Sequence, residues 1–318
     1  MRIFHKPAEV PADFGPSAVT IGNFDGVHVG HREIMRRLVA IARERGLTPA
    51  VLTFDPHPAR VLAPDRAPKL ITTVDQRLRH FEEQGIEAVL LLPFSLEFAK
   101  LTPEEFVEQV LANTLKTRVV LVGEDFRFGH KQAGNTETLR ALGERFGFEL
   151  RPIGAIEGRA GRISSSAIRR LVTEGRVSQA CRMMGTPFAL EGRVVRGHGI
   201  GSRQTVPTLN LAAENELMPK TGVYVTMTRD EASSREWRSV TNVGYRPTFD
   251  GQGLTVETFL LDPPPETTPD RIEIRFLSFV REERKFESPE ALKAQILRDV
   301  KAVNRFHSRF HVLSHGII

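Results

Sequence analysis

The sequence predicts two domains: a doubly wound, Rossmann-like α/β domain with a parallel sheet, then a small antiparallel β-barrel followed by a helix. Three observations carry this prediction. A chain of 318 residues has room for two domains of roughly 100–200 residues each. The first 150 residues alternate short apolar runs with helical patterns. After about residue 186, short strand-like runs follow one another between Gly, Pro and Asp turns.

The N-terminal half alternates strands with helices. The predicted strands are 17–22, 48–54, 86–94 and 118–123, and the predicted helices are 32–46, 74–85, 102–115 and 135–147. Ile34, Leu38 and Ile41 recur at helical spacing, and Thr102 with the acids that follow it is a typical helix start. The strands are apolar at successive positions, which suits a parallel sheet covered on both faces.

The C-terminal half is predicted to be mostly β-structure. The predicted strands are 189–197, 222–228, 237–244, 255–262 and 271–280, and a final helix is predicted over 288–307. Two short helices, 164–175 and 178–185, are predicted to lead to a joint at Thr186–Pro187. We therefore expect domains at residues 1–186 and 187–318.

Composition narrows the class of protein. The single cysteine, Cys181, excludes an internal disulfide and a multi-cysteine zinc site, and it fits a reducing compartment. The N-terminus has no signal-peptide core and no uncharged span reaches 18 residues, so we expect a cytoplasmic protein without a membrane anchor. The net charge of +5 is interspersed, and 20 Phe against one Trp and two Tyr indicate packing rather than base stacking. We expect no nucleic-acid partner.

The stretch GNFDGVHVGH, residues 22–31, directly follows the first predicted strand and opens the first predicted helix. A helix N-terminus binds phosphate through its unpaired N–H groups and partial positive charge. Gly26 and Gly30 let the backbone approach a ligand closely, while His28 and His31 share one face of the first turn. Two imidazoles there can donate hydrogen bonds to phosphate oxygens. The alternative interpretation is a Gly-rich turn with two solvated histidines.

A second phosphate-binding pattern lies in RISSSAIRRLV, residues 162–172. Ser164, Ser165 and Ser166 precede a predicted helix, and Arg169 follows one turn later. Serine hydroxyls and an arginine at a helix start suit phosphate oxygens. The same residues are also compatible with a serine N-cap and a surface arginine.

The barrel half contains two chemical signals. In the tetrad Pro207–Asn210, an extended backbone places Thr208 and Asn210 on one face, where a hydroxyl and an amide oxygen suit Mg²⁺ beside nucleotide phosphates. The glycines around His198 permit a loop that covers phosphates. The same residues are also compatible with a turn followed by an edge strand. Glu257 lies in an apolar strand and can be a general base or simply point outward. Alternation along the strand leaves this choice open.

Four motifs together resemble the FAD synthetase module of bacterial bifunctional riboflavin kinase/FMN adenylyltransferases. They are GNFDGVHVGH, FDPHP (54–58), GEDFRFGHKQAGN (123–135) and ISSSAIR (163–169), in that order. The resemblance implies a nucleotidyltransferase fold that binds ATP and FMN. It assigns ATP to Gly22, Asn23, Phe24, Asp25, His28, Gly30 and His31, with the phosphates at Ser164, Ser165, Ser166 and Arg169. It assigns the flavin to His57, Pro58, Asp125 and Phe128.

The second half resembles the riboflavin kinase module of the same family. The matching segments are RGHGIGSRQTVPTLNL (196–211), LMPKTGVYV (217–225), NVGYRPTF (242–249), VETFLLD (256–262) and FVREERKFESPEALKAQILRD (279–299). The resemblance implies a six-stranded antiparallel barrel, Mg²⁺ on Thr208 and Asn210, and Glu257 as the catalytic base. It places ATP against Gly197, Gly199, Gly201 and Pro207.

This chain departs from the family pattern in one loop. Thr205 stands where the family has glycine and Val206 where it has an aromatic residue, within Gly201–Pro207. The change bears on how the loop packs against nucleotide or flavin. Ser166, where the family commonly has threonine, keeps its hydroxyl.

The resemblance implies an enzyme with two sites: the barrel phosphorylates riboflavin to FMN, and the Rossmann-like domain adenylylates FMN to FAD with release of pyrophosphate. ATP is the co-substrate of both steps. Three alternatives remain open at this point. They are a synthetase with a weakened or lost kinase site, a flavin- or nucleotide-binding regulator without turnover, and a different nucleotidyltransferase such as a cytidylyltransferase.

Overall fold

The structure is a computed structural model that describes residues 1–154, 157–158, 161–195, 208–248, 251–263, 265–284 and 286–314. Chain contacts divide the protein into two units, Met1–Ser165 and Ser166–Ile318. Each unit has its own sheet and its own core, so each is described by itself.

The first unit is built on a six-stranded parallel sheet. Its strands are β1 (Arg2–Phe4), β2 (Ser17–Ile21), β3 (Thr48–Phe54), β4 (Ala88–Leu92), β5 (Thr117–Gly123) and β6 (Glu149–Ile153). They lie in the order β1-β4-β3-β2-β5-β6, and every pairing is parallel. The predicted Rossmann-like sheet is confirmed. A two-stranded hairpin of β7 (Glu157–Gly158) and β8 (Gly161–Arg162) follows it.

Helices cover both faces of this sheet. They are α1 (Val29–Arg45), α2 (Pro58–Leu62), α3 (Val74–Glu83), α4 (Pro103–Phe106) with a continuing π-helix (Val107–Thr114), and α5 (Thr136–Phe146). Successive strand residues belong to different apolar clusters: Val19 and Leu52 to one, Ala18 and Val51 to the other. Both faces are therefore buried, which explains why the strands are apolar without alternation.

The second unit contains a closed antiparallel barrel of six strands. They are β9 (Phe188–Val195), β10 (Thr208–Ala213), β11 (Gly222–Asp230), β12 (Glu236–Thr248), β13 (Gly251–Leu260) and β14 (Arg271–Arg281). The order around the barrel is β10-β13-β12-β11-β14-β9. A last helix, α8 (Pro289–Ser314), packs through Val303 on the wall formed by Val223, Val225 and Val240. The predicted barrel and its C-terminal helix are confirmed.

Five fully buried hydroxyls form a closed ring of hydrogen bonds among the barrel strands. Going round the ring, Thr226 contacts Ser239 at 2.8 Å, Ser239 contacts Thr228 at 2.8 Å and Thr228 contacts Thr258 at 3.2 Å. Thr241 then joins Thr258 at 2.9 Å and Thr226 at 2.8 Å. Each hydroxyl can donate once and accept once, so the ring satisfies five polar groups that burial would otherwise penalise.

Two short helices open the second unit. They are α6 (Ser165–Thr173), whose first residue still belongs to the first unit, and α7 (Val177–Met184), where the sequence predicts them. α7 packs on β9 and β14 of the barrel. The units consequently divide at Ser165/Ser166, twenty-one residues before the joint expected at 186/187. Among the described residues, no helix combines the length and apolar character that crossing a bilayer requires.

Candidate active sites

Three of the four synthetase motifs meet at one edge of the parallel sheet. Residues 22–31 follow β2, residues 54–58 end and follow β3, and residues 123–135 end and follow β5. These three strands are parallel neighbours, so their carboxyl ends lie side by side. The chain order reverses between β2 and β5, because β3, β4 and β1 lie on one side and β5 and β6 on the other. Open α/β sheets bind ligands at such a switch point.

The loop between β2 and α1 has an unusual backbone. Phe24 and Val27 have positive φ angles of 51° and 34°, which non-glycine residues adopt at a cost of about 1–3 kcal/mol each. Gly26 has φ 80°, and a Cβ there would lie 3.0 Å from Cδ1 of Ile71. Glycine is therefore required at this turn for conformation and for space. Strain of this kind is concentrated where a ligand site demands a particular backbone.

His28 and His31 form a stacked pair at the start of α1. Their ring centroids are 3.6 Å apart with an interplanar angle of 16°. His28 is the N-cap of the helix, and its Nδ1 accepts a hydrogen bond from the backbone N–H of His31 at 3.3 Å. Because Nδ1 is an acceptor, the ring proton of neutral His28 resides on Nε2, which can therefore act as a donor.

Burial keeps both imidazoles neutral. Loss of hydration lowers the pKa of His28 to about 4. The pKa of His31 also lies well below its usual value of 6.5, first through burial and then through the neighbouring His28. Two neutral rings beside a helix N-terminus can donate hydrogen bonds to phosphate oxygens without bringing two like charges together. The solvated-turn alternative does not describe this stacked pair, in which His28 is buried and His31 partly buried.

Asp25 faces the interior of the loop. Its carboxylate accepts hydrogen bonds from the backbone N–H of Ile71 at 3.0 Å and of Thr72 at 3.2 Å, and the Thr72 hydroxyl accepts one from Gly26 N–H at 3.2 Å. Asp25 is thereby joined to the turn that precedes α3. Its direct contact with ATP stays a prediction, and the geometry gives it a role in holding the loop.

Sequence reasoning missed Arg77 of α3. Its side chain is buried, and its guanidinium donates to the carbonyl of Asn23 at 2.8 Å and to that of Phe54 at 3.4 Å. Those carbonyls belong to the loops after β2 and β3. A signal was present, because Arg77 lies four residues before the buried Phe81 and so shares its inward helical face.

The serine segment contacts the same loop within the first unit. The hydroxyl of Ser165 donates to the backbone carbonyl of Asp25 at 2.9 Å. Ser164 is partly buried. Ser166 is exposed and Arg169 partly buried on α6, in the second unit. The contact with Asp25 joins the fourth synthetase motif to the first.

The residues expected at the flavin end have different environments. His57 is the N-cap of α2, and its Nδ1 accepts from Ala59 N–H at 3.1 Å; Pro58 is the first helical residue. Asp125 is exposed just beyond β5. Phe128 belongs to the buried core and is only 7% exposed, so little of its own ring is available to a ligand.

A row of phenylalanines that the sequence analysis did not single out continues from Phe128. Phe126 stacks on Phe128 at 5.5 Å and 14°, and Phe54 contacts Phe94 and Phe98 at 5.5 and 5.9 Å. The four rings other than that of Phe128 are partly exposed, and they lie near the carboxyl ends of β3, β4 and β5: Phe54, Phe94, Phe98 and Phe126. Aromatic rings of this kind offer a surface on which a planar heterocycle can stack. Phe54 opens the FDPHP motif, which was the available signal.

In the barrel, Asn210, Glu257 and Asn242 form one row across three strands. Asn210 of β10 lies opposite Glu257 of β13, and Glu257 lies opposite Asn242 of β12. Directly opposed residues share a face, with Cβ atoms about 4.5–5.5 Å apart. Val256 and Thr258, on either side of Glu257, are buried. Glu257 therefore points away from the interior and toward a polar row on the barrel wall; Asn242 is a member of it that sequence reasoning missed.

Thr208 and Asn210 share this face. Thr208 is exposed and Asn210 partly so, two residues apart on β10. In the parts of the chain that the structure describes, no three His, Cys, Asp or Glu side chains gather as a metal site. A cation here would be held by neutral side-chain oxygens together with phosphate oxygens, a donor set that fits Mg²⁺. The glycine-rich loop of the predicted kinase site lies outside the described residues. It contains Gly197, Gly199, Gly201 and Pro207, and also Thr205 and Val206, which depart from the family pattern.

Comparison with known proteins matches both halves of the chain. A family model for FAD synthetase matches residues 10–167, and one for riboflavin kinase matches residues 184–307. A bifunctional riboflavin kinase/FMN adenylyltransferase of Escherichia coli K12 is 33% identical over 306 residues, covering 96% of this chain and 97% of that protein. The chain belongs to the bifunctional riboflavin kinase/FMN adenylyltransferase family. The resemblance noted from its motifs is confirmed.

Other members of the family are similarly close. The protein of Haemophilus influenzae is 34% identical over 289 residues, covering 91% of this chain and 94% of that relative. A solved structure described as a macrolide-efflux protein from Streptococcus pneumoniae superposes with a TM-score of 0.85 at 28% identity, covering 95% of this chain and 98% of that one. The family order of synthetase then kinase is the order of the two units here.

Proposed function

We propose that this chain makes FAD from riboflavin in two steps. The barrel transfers the γ-phosphoryl group of ATP to riboflavin and forms FMN, and the Rossmann-like unit joins FMN to the AMP moiety of a second ATP. What supports this most is that the chain matches both family modules and carries a different polar arrangement in each unit, the stacked histidine pair in one and the row containing Asn210 and Glu257 in the other. We assign the first activity to residues 187–318 and the second to residues 1–186.

For adenylyl transfer, the FMN phosphate attacks the α-phosphorus of ATP and pyrophosphate leaves. The nucleophile is already an anion at neutral pH, so no strong base is needed. Positioning and charge stabilisation supply the rate. His28 donates from Nε2 to phosphate oxygens, and the N-terminus of α1 adds its partial positive charge. The aromatic surface near Phe54 and Phe126 receives the isoalloxazine ring.

Riboflavin phosphorylation, unlike adenylyl transfer, needs a base. A ribityl hydroxyl is a weak nucleophile, so Glu257 accepts its proton as the bond to the γ-phosphorus forms and ADP leaves. Asn242 lies opposite Glu257 and supplies an amide next to the carboxylate. Thr208 and Asn210 would hold Mg²⁺, which would offset phosphate charge. We assign nucleotide binding to Gly197, Gly199, Gly201 and Pro207. The departures from the family pattern at Thr205 and Val206 are expected to alter the affinity of this site for its substrates.

The remaining expectations fit this function. Riboflavin, FMN and ATP are small polar substrates, so we propose a cytoplasmic enzyme that needs neither a nucleic-acid nor a membrane partner. The single cysteine suits a reducing compartment. Burial raises the pKa of Cys181, as for a packed thiol rather than a nucleophile.

The experiment is to incubate the purified protein with riboflavin, ATP and Mg²⁺ and to separate the flavins by chromatography. Two working sites yield FAD. Accumulation of FMN alone indicates a kinase without adenylyltransferase activity, whereas FAD formed only from added FMN indicates a synthetase that has lost its kinase. Unchanged flavin that is bound tightly in both assays would contradict the proposal and favour a regulator.

A further inference from the structure

Arg77 is a buried cation next to the adenylyltransferase loops. Its side chain is only 3% exposed, on the inward face of α3. Nη1 donates to the carbonyl of Asn23 and Nη2 to that of Phe54, at 2.8 and 3.4 Å. Within the described residues, Nε has no hydrogen-bond partner. One guanidinium thus joins two separate loops across neighbouring strand ends.

Such an arrangement is expensive for folding alone. Removing a cation from water is costly, and even a buried ion pair can often be replaced by apolar side chains of similar volume without loss of stability. Burial lowers the pKa of Arg77, while the charges of Asp25 and Asp55 oppose that shift. In the described part of the chain, the hydrogen bonds of this guanidinium go to the backbone carbonyls of Asn23 and Phe54. These carbonyls therefore determine where the guanidinium lies.

The two carbonyls belong to the motifs that the proposed function uses. Asn23 lies in the loop that leads to His28, and Phe54 opens the loop that leads to His57. Thr53 also donates to the Asn23 carbonyl, at 3.4 Å. Because a trans peptide is planar, turning this carbonyl toward Arg77 turns the N–H of Phe24 away from Arg77. The guanidinium thereby sets the orientation of the peptide inside the strained loop.

We propose that Arg77 is a positioning residue of the adenylyltransferase site: it ties the ATP loop after β2 to the flavin loop after β3. The inference rests on the proposed adenylyl transfer. Arg77 itself touches neither reacting atom. It acts through Asn23 and Phe54 by keeping the two loops, and so the α-phosphate and the FMN phosphate, at the separation that in-line attack requires.

The test compares Arg77→Met and Arg77→Lys with Arg79→Met, which removes the same charge from an exposed position of α3. We measure kcat and KM for FMN adenylylation, corrected for the folded fraction from circular dichroism. Arg77→Met is expected to lower kcat about 100-fold with little change in the KM for ATP, because a displacement of about 1 Å costs that much. Arg77→Lys regains part of the rate, since an ammonium lacks the planar fork that reaches both carbonyls. Arg79→Met stays near the unmodified rate.

A merely structural arginine would give a different result. It would lower the melting temperature of the unit and leave kcat per folded molecule unchanged in Arg77→Lys, and that outcome overturns the proposal. If Arg77→Met does not fold, the lysine variant decides by the same criterion. Riboflavin phosphorylation by the same preparations is the internal control. Failure of the unmodified chain to make FAD would instead refute the proposed function. The failure of that function and the failure of the Arg77 proposal can therefore be told apart.

Discussion

Two neutral imidazoles are the residue-scale feature that most directly supports adenylyl transfer. The rings of His28 and His31 stack at the N-terminus of α1, and burial holds their pKa values below the usual 6.5. A neutral imidazole with its proton on Nε2 still donates a hydrogen bond to a phosphate oxygen. Such a fixed donor can stabilise the negative charge that develops as pyrophosphate leaves.

Replacing both histidines is expected to stop adenylyl transfer selectively. In the double variant His28→Asn/His31→Gln, asparagine keeps an N-cap acceptor while both imidazoles are removed. Loss of one positioned donor costs about 10²–10³ in rate, so FMN adenylylation should fall by 10³-fold or more. Flavin chromatography measures it, with His5→Asn, at an exposed position, as the control. Near-normal turnover in the double variant defeats the assignment.

The same pair makes stability depend on pH. An unfolded chain protonates histidine near pH 6.5, whereas folded His28 resists protonation down to about pH 4. The stabilisation is complete above pH 6.5 and is lost as the pH falls toward 4. Each such histidine contributes a slope of up to about 1.4 kcal/mol per pH unit. Calorimetry between pH 7.5 and 5 should show a shallower fall in the melting temperature for His28→Asn/His31→Gln than for His5→Asn. If the melting temperatures of the two variants fall equally steeply with pH, the interpretation that His28 and His31 are buried and neutral is wrong.

Glu257 is the corresponding residue in the barrel. Glu257→Gln keeps the shape of the side chain and removes the proton acceptor, and general base catalysis contributes about 10²–10⁴ in rate. FMN formation should fall by that factor while conversion of added FMN to FAD continues. Glu236→Gln, another strand carboxylate that pairs with Arg275, is the control. Equal loss of both activities in Glu257→Gln would argue against two separable sites.

The sequence identified the residue types of the site better than their orientations. His28, His31, Thr208 and Asn210 were predicted because their spacing on an element is itself a chemical signal, whereas Glu257 was assigned through the family resemblance. The inward turn of the Asp25 carboxylate and the burial of Phe128 depend on packing between distant segments. No local pattern encodes those contacts.

At the scale of elements, the hydroxyl ring makes the barrel sensitive to single atoms. Thr241→Val opens the ring and removes one of the two ring partners of Thr226 and of Thr258, and hydrogen-bonding capacity left unsatisfied in a buried site costs about 1–3 kcal/mol. Thr241→Ser keeps the hydroxyl and is the matched control. Denaturant unfolding followed by the fluorescence of Trp237, the only tryptophan and a buried barrel residue, reports this unit. A valine variant as stable as the serine variant would show that the ring contributes nothing.

Helices and strands that are long and have a clear hydrophobic pattern were predicted from the sequence, whereas elements without such a pattern were not. β3 spans the predicted 48–54, and α1 and α5 begin within three residues of their expected starts. β1 has three residues and β6 contains Pro152, so neither shows a strand pattern of its own; pairing with β4 and β5 creates them. The predicted helix 102–115 is instead one α turn followed by a π-helix. Propensity cannot distinguish these helix types.

At the scale of the whole molecule, two unrelated architectures carry one continuous reaction sequence. The FMN made by one unit is the substrate of the other, so both sites are needed for FAD but neither requires the chemistry of the other. Motif order alone was enough to predict this division. It could not predict where the boundary between the two units lies, because the place of α7 depends on packing against β9 and β14.

The central claim is that the chain holds two independent phosphate-handling sites, and mixing two damaged proteins tests it most directly. Riboflavin, ATP and Mg²⁺ are supplied to Glu257→Gln, to His28→Asn/His31→Gln, and to an equal mixture of the two. We predict unchanged riboflavin in the first, accumulated FMN in the second and FAD in the mixture. A mixture that yields no FAD, while the unmodified chain does, would contradict the account.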